Sequence, residues 1–103
     1  MIIEKRTYTF HPGKVQEFLA LYEKEGLAIH TSYLPLIGYF VSEIGTLNQV
    51  ITMWGYESMA DREEKRAKLY ADPAWIGFGP KTTPFIQKME TMILRPTGWS
   101  PIK

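Results

Sequence analysis

The chain has 103 residues, a net charge of +1, 45% hydrophobic and 22% charged residues, and no cysteine. That is one domain, residues 1–103, long enough to bury roughly two-thirds of its unfolded surface. Interspersed Lys, Arg, Asp and Glu exclude the clustered basic face of a nucleic-acid binder, and the lack of cysteine excludes disulfides, thiolate catalysis, iron–sulfur clusters and cysteine-ligated zinc.

Residues 2–10, IIEKRTYTF, carry β-branched and aromatic residues in partial alternation and predict a strand. His11-Pro12-Gly13 ends it. From Lys14 the period changes: Val15, Phe18, Leu19 and Tyr22 fall at i, i+3, i+4 and i+7, one face of a helix. Ile29 and Tyr33 continue that face, so the helix is expected over 13–34, weakened near Gly26 and stopped by Pro35.

Residues 37–44 predict a second strand, residues 45–48 a tight connection, and residues 49–56 a third strand antiparallel to the second. A four-residue loop places Ile44 opposite Gln49, with Tyr39, Val41 and Glu43 on the same face as Val50, Thr52 and Trp54. Asn48 then serves the turn. Ser58, with Asp61 three residues on, starts a second helix that runs to Tyr70. Asp72-Pro73 reads as an N-cap followed by proline at the first helical position, opening a short turn that holds Trp75 and Phe78. Gly77, Gly79 and Pro80 are expected to end it. Residues 84–94 predict the last strand, and 94–103 an extended tail containing Trp99. The charge run Asp61-Arg62-Glu63-Glu64-Lys65-Arg66 alternates in sign and reads as a solvated helix face.

The order β-α-β-β-α-β is the ferredoxin-like pattern: an α+β fold with a four-stranded antiparallel sheet and two helices on one face. Two helices cover only one face, yet both faces are rich in apolar residues. Ile2, Tyr8 and Phe10 share a face in the first strand; Phe40 and Ile44 alternate with Tyr39 and Val41; Ile51 and Met53 alternate with Val50, Trp54 and Tyr56; Met92 and Leu94 alternate with Met89 and Ile93. A second copy packed sheet to sheet with two-fold symmetry covers the remaining face. A homodimer is therefore expected. The amino-terminal residues lack a basic region followed by an apolar one, and no apolar run approaches the ~20 residues of a membrane span, so the cytoplasm is the expected compartment.

Five segments resemble the NIPSNAP family of the dimeric α/β-barrel superfamily: RTYTFHPGKVQEFLALYEKEG at 6–26, LIGYFVSEIGTLNQVITMWGYES at 36–58, DREEKRAKL at 61–69, DPAWIGF at 72–78 and ILRP at 93–96. The segment FGPKTTPFIQKME matches more loosely. The resemblance implies a ferredoxin-like protomer and a two-fold barrel made from two sheets. It implies little chemistry, because the family offers no general catalytic motif to carry over. Larger eukaryotic members are associated with mitochondria and with vesicle or mitophagy-related interactions; this chain reads as one such domain with no transit peptide, so those roles are not expected to transfer.

Candidate chemistry is sparse. His11 lies in a strand-to-helix turn and is expected to be solvated. His30 lies beside Ile29 on the first helix and is the candidate base, which requires an orienting partner. Arg6 and Glu43 are charges inside strands; if both point inward they must pair, because a lone buried charge is costly. Two isolated histidines make no metal site, and no cofactor is expected. Tyr8, Tyr39, Thr52, Trp54 and Tyr56 are candidates for lining a ligand cavity between the two sheets, or else they form dimer core. Trp75 and Phe78 are expected to anchor the short helix. Two functions fit these residues: a dimeric module binding a small hydrophobic molecule or a protein partner, or an enzyme of the barrel cavity. The resemblance suggests for the latter a cofactor-independent or haem-related monooxygenase or an isomerase, with His30, Arg6 and Glu43 as its working groups.

Overall fold

A computed structural model describes residues 1–103. The chain runs β1 (Ile2–Phe10), α1 (Val15–Glu25), α2 (Leu27–Tyr33), β2 (Leu36–Val41), β3 (Gln49–Tyr56), α3 (Met59–Ala71), α4 (Pro73–Thr82), a 3-10 turn (Thr83–Phe85) and β4 (Ile86–Leu94). All strand pairs are antiparallel in the order β2-β3-β1-β4. This is the expected ferredoxin-like sheet, with each of the two helical segments divided in two.

The first division falls at Gly26. An ideal Cβ there would lie 2.7 Å from the Phe78 ring, so the bare backbone lets α4 press its aromatic residue into the break. The second falls at Asp72, whose side chain accepts from the Ala74 N–H at 2.8 Å and caps α4, with Pro73 next to it. Ser58 caps α3 by accepting from the Asp61 N–H at 3.1 Å, while the Asp61 carboxylate accepts from the Glu57 N–H at 3.0 Å. Contrary to expectation, α4 continues through Gly77, Gly79 and Pro80 to Thr82. Pro80 sits in the last turn, where it removes one helical bond. The Thr82 and Thr83 hydroxyls donate to the Gly79 carbonyl there.

The β2–β3 register also differs from expectation. Val41 pairs with Val50 and Tyr39 with Thr52, a shift of two residues that keeps the same faces together. β2 ends at Val41, and Ser42 to Asn48 form a seven-residue loop closed by Ser42 N–H donating to the Gln49 carbonyl at 3.0 Å. Gly45 and Asn48 adopt positive φ in it. Glu43 is thus an exposed loop residue and not a strand residue.

The even-numbered residues of β1 and β3 face the helices. Phe10, Phe18, Tyr22, Val50 and Phe78 form one buried cluster, and Leu34, Trp54, Tyr56 and Leu69 another. The opposite face is uncovered in the protomer. Its apolar part carries Ile51, Met53 and Met92 beside Lys5, with Ile3 buried at its end, together with Phe40, which is 52% exposed and folds its ring over Gly38. The other part is polar, with Thr7, Thr9, Gln49, Lys88 and Glu90. No helix is long and apolar enough to cross a membrane.

Candidate functional site

A cavity of about 220 Å³ lies between the sheet and the helices. Tyr8 and Arg6 of β1, Thr52 of β3 and Tyr39 of β2 form its floor, because Arg6 pairs with Thr52 and Thr52 with Tyr39 across the sheet. Tyr22 and His30 close one side from α1 and α2; Trp75 and Phe78 cover it from α4. A bulge at Thr9/Phe10 brings Ile86 of β4 to the same face as Met89, and both residues line the cavity edge. Arg66 and Tyr70 of α3 also line it, with Tyr70 and Met89 exposed.

At the buried end the Tyr22 phenol oxygen is 2.8 Å from His30 Nδ1. The imidazole lies between two indoles, its centroid 4.2 Å from that of Trp54 and 4.4 Å from that of Trp75. Burial, with Arg6 and Arg66 adding repulsion, holds the His30 pKa down at about 3, so the ring is neutral at physiological pH. Burial also raises the Tyr22 pKa, leaving a protonated phenol able to donate to Nδ1. Tyr39 stacks on Tyr22 at 4.9 Å between centroids. Trp54 donates from Nε1 to Thr52 Oγ1 at 2.9 Å.

A charged cluster adjoins the cavity around Glu4, a β1 residue with 0% exposure. Its carboxylate accepts from Arg6 Nη1 at 2.9 Å, from Arg62 Nε and Nη2 at 3.0 and 3.1 Å, and from Thr91 Oγ1 at 2.7 Å. Arg66 Nη1 stands 4.0 Å away. Burial alone would raise the Glu4 pKa, but hydrogen bonds from Arg62, Thr91 and Arg6 win and hold it at about 2. Arg6 Nε also donates to the Tyr8 hydroxyl at 2.7 Å.

The structure brings together Arg6, Tyr8, His30, Tyr39 and Thr52 in the cavity. Trp54 lies behind it, against His30 and Thr52. Tyr56 packs further along β3 with Leu34 and Leu69, its hydroxyl buried without a hydrogen-bond partner. All five expected ligand-binding residues occupy the helix-covered face, so the cavity is within the protomer and not between two sheets. Arg6 pairs with Glu4; Glu43 has no part in the site. Arg62 and Arg66, expected on a solvated face, turn inward onto Glu4. Trp75, expected only as an anchor, lies over His30 and lines the cavity. His11 is exposed, as expected. Glu4, Tyr22 and Arg66 escaped the sequence reading, although the spacing of Glu4, Arg6 and Tyr8 at alternate positions placed all three on one face. No group of three or more His, Asp or Glu side chains is placed to hold a metal ion.

Comparison with known proteins gives this arrangement a family. The NIPSNAP family model matches residues 3–101. The chain belongs to the NIPSNAP family. A NIPSNAP family protein from Agrobacterium tumefaciens superimposes with a TM-score of 0.97 at 48% identity, covering 99% of this chain and 98% of that one. An uncharacterized NIPSNAP domain protein from Burkholderia xenovorans gives 0.96 at 40% identity, over 98% and 99% of the two chains. Protein NipSnap homolog of Dictyostelium discoideum is 33% identical over 90% of this chain and 41% of its own length. This NIPSNAP chain spans 19% to 41% of the length of the first curated relatives it matches. At 11% identity, an antibiotic biosynthesis monooxygenase shares the fold, with a TM-score of 0.65 over 94% of this chain and 99% of that one.

Proposed function

We propose that this NIPSNAP protein is a homodimer whose protomers each hold a small, largely apolar molecule beneath their helices. The observation that carries the reading is the cavity itself. Aromatic walls with a few fixed polar groups characterise small-molecule sites, and here Tyr8, Tyr22, Tyr39 and Trp75 surround His30, Thr52 and Arg6. An apolar cavity of about 150 Å³ accepts benzene, so about 220 Å³ suits a substituted ring. The dimer is supported by the uncovered sheet face, where Phe40 and Met92 are 52% and 56% exposed beside Ile51 and Met53.

Catalysis in the same cavity is the second reading, favoured by the His30–Tyr22 pair. It is the weaker one on physical grounds. A base working near neutral pH needs a pKa close to that pH, whereas His30 is held at about 3. Oxygen uptake with polyphenolic substrates, lost in His30→Ala, would favour the catalytic reading.

Native mass spectrometry of the purified protein tests the binding reading. Two chains with a small non-covalent adduct are the expected result. Two bare chains would turn attention to a protein partner, and a single bare chain would remove the dimer.

A further inference from the structure

The cavity contains an electrostatic imbalance. Two guanidinium groups line it, Arg6 and Arg66, and no carboxylate does. Glu4 lies behind the lining and is shared among Arg6, Arg62 and Arg66. The only further anion in the group is exposed Glu63, which meets Arg62 at 3.4 Å. Burial disfavours the charged forms of Tyr22, Tyr39 and His30, so three cations face one buried and one solvated carboxylate.

The arginines also have donors to spare. Arg6 uses Nε on Tyr8 and Nη1 on Glu4, while its Nη2 has no acceptor in the protein. Arg66 makes one long bond, 3.3 Å from Nη2 to the Tyr70 hydroxyl, stacks on that ring at 5.2 Å, and has the buried Tyr56 hydroxyl as its other polar neighbour besides Glu4. Both side chains are largely withdrawn from solvent, at 14% and 20% exposure. A poorly hydrated guanidinium with free donors is suited to a planar carboxylate, which accepts paired bonds from it. Because Arg6 and Arg66 converge on the same Glu4 carboxylate, one acid group can meet both.

We propose that the cavity selects a small aromatic carboxylic acid, its carboxylate held by Arg6 and Arg66 and its ring among Tyr8, Tyr39 and Trp75. This inference rests on the cavity being a ligand site and adds the chemical class of the ligand.

Calorimetric titration of the intact protein with naphthalene-2-carboxylate and with naphthalene-2-carboxamide, a neutral molecule of the same shape, tests it. The acid is expected to bind about tenfold tighter or better, as a desolvated charge-assisted pair allows. Arg66→Gln is expected to lower acid affinity by about tenfold while leaving the amide unchanged, and Arg66→Lys to keep the preference by keeping the charge. Arg66 is the residue to change because Arg6 holds Glu4 directly and its loss endangers folding. Equal binding of acid and amide, or an acid preference that survives Arg66→Gln, overturns the assignment but leaves a ligand site. Failure of both probes to bind removes the ligand site and the assignment with it.

Discussion

Tyr22 and His30 stand on opposite sides of the Gly26 break, eight residues apart, and meet at 2.8 Å between the phenol oxygen and Nδ1. The break and the pair depend on the same neighbour. Phe78 fills the space that a side chain at position 26 would need, and its ring packs against Tyr22 at 6.3 Å between centroids. Local backbone, core packing and the buried end of the cavity are therefore one arrangement.

Gly26→Ala follows directly. In an open helix, alanine is the better residue. Here the new methyl would collide with the Phe78 ring, which is buried and cannot swing aside freely. The variant is expected to lose about 1–3 kcal/mol, the usual cost of overpacking, in urea denaturation. A gain in stability would show that Phe78 yields.

Glu4→Ala should be among the most damaging single changes. It removes the carboxylate that accepts from Arg6, Arg62 and Thr91 at 0% exposure. Breaking a buried ion pair by deleting one partner costs about 3–5 kcal/mol, because the remaining charges stay desolvated. Chemical denaturation reads this, and a loss no larger than that of a surface carboxylate would contradict the cluster's role.

Acid should destabilise the fold in two overlapping windows. His30 is held at about 3 against an ordinary 6.5 by burial and then by Arg6 and Arg66. The unfolded chain takes up its proton first, so stability falls as pH drops from 6.5 towards 3. Glu4, at about 2 against 4.5, contributes stability that is complete above 4.5 and is lost as pH falls towards 2. Melting temperature against pH should decline from 6.5 downward, with His30→Gln flattening the upper part. A flat profile from pH 7 to pH 4 would disagree with the buried neutral imidazole.

Asp72→Ala removes two bonds at once: the cap to the Ala74 N–H and the acceptor for the Tyr33 hydroxyl at 2.7 Å. Loss of an N-cap costs about 0.5–2 kcal/mol, and the second bond should place the variant at the upper end. Asp72→Asn, which keeps a capping oxygen, should recover most of the loss in the same thermal melt.

Phe40→Lys tests the uncovered face. Phe40 is 52% exposed and lies outside both buried clusters, so the protomer should fold unchanged. Sedimentation velocity is expected to show two chains for the parent protein and one for the variant. A parent that sediments as a single chain would falsify the dimer.

Much of the fold was legible because the relevant signals are local. The 3.6-residue period of Phe18 and Tyr22, the cap at Ser58 with Asp61, and Asp72-Pro73 all act within one turn of helix. The end of β2 was not. Ile44 and Leu47 extend the apolar pattern, yet they are 93% and 70% exposed in the loop, so hydrophobicity there does not report burial.

The site was legible in part. Strand alternation groups Tyr8, Tyr39 and Thr52 correctly, but a sheet apolar on both sides does not reveal which side its helices cover. Arg62 and Arg66 sit in a run of alternating charges, the usual mark of a solvated face. Their inward turn depends on Glu4, 58 residues from Arg62 in the chain. Pairing at that separation leaves no periodic trace.

Glu4 has one more consequence, for how the chain finds its frame. In most half-covered sheets a slip of one residue is penalised because it exposes the apolar set to water. Here both faces carry apolar side chains, so that penalty is weakened. A slip of β1 by one residue would instead turn Glu4 towards Met53 and Met92, the side chains that flank Lys5 across the sheet, away from Arg62 and Thr91. Arg62 and Arg66, only 16% and 20% exposed, would be left without that carboxylate, and a desolvated cation without its partner is a far costlier error than an exchanged isoleucine. The single buried acid thus proofreads the central strand, supplying by charge the alignment that hydrophobicity alone leaves ambiguous.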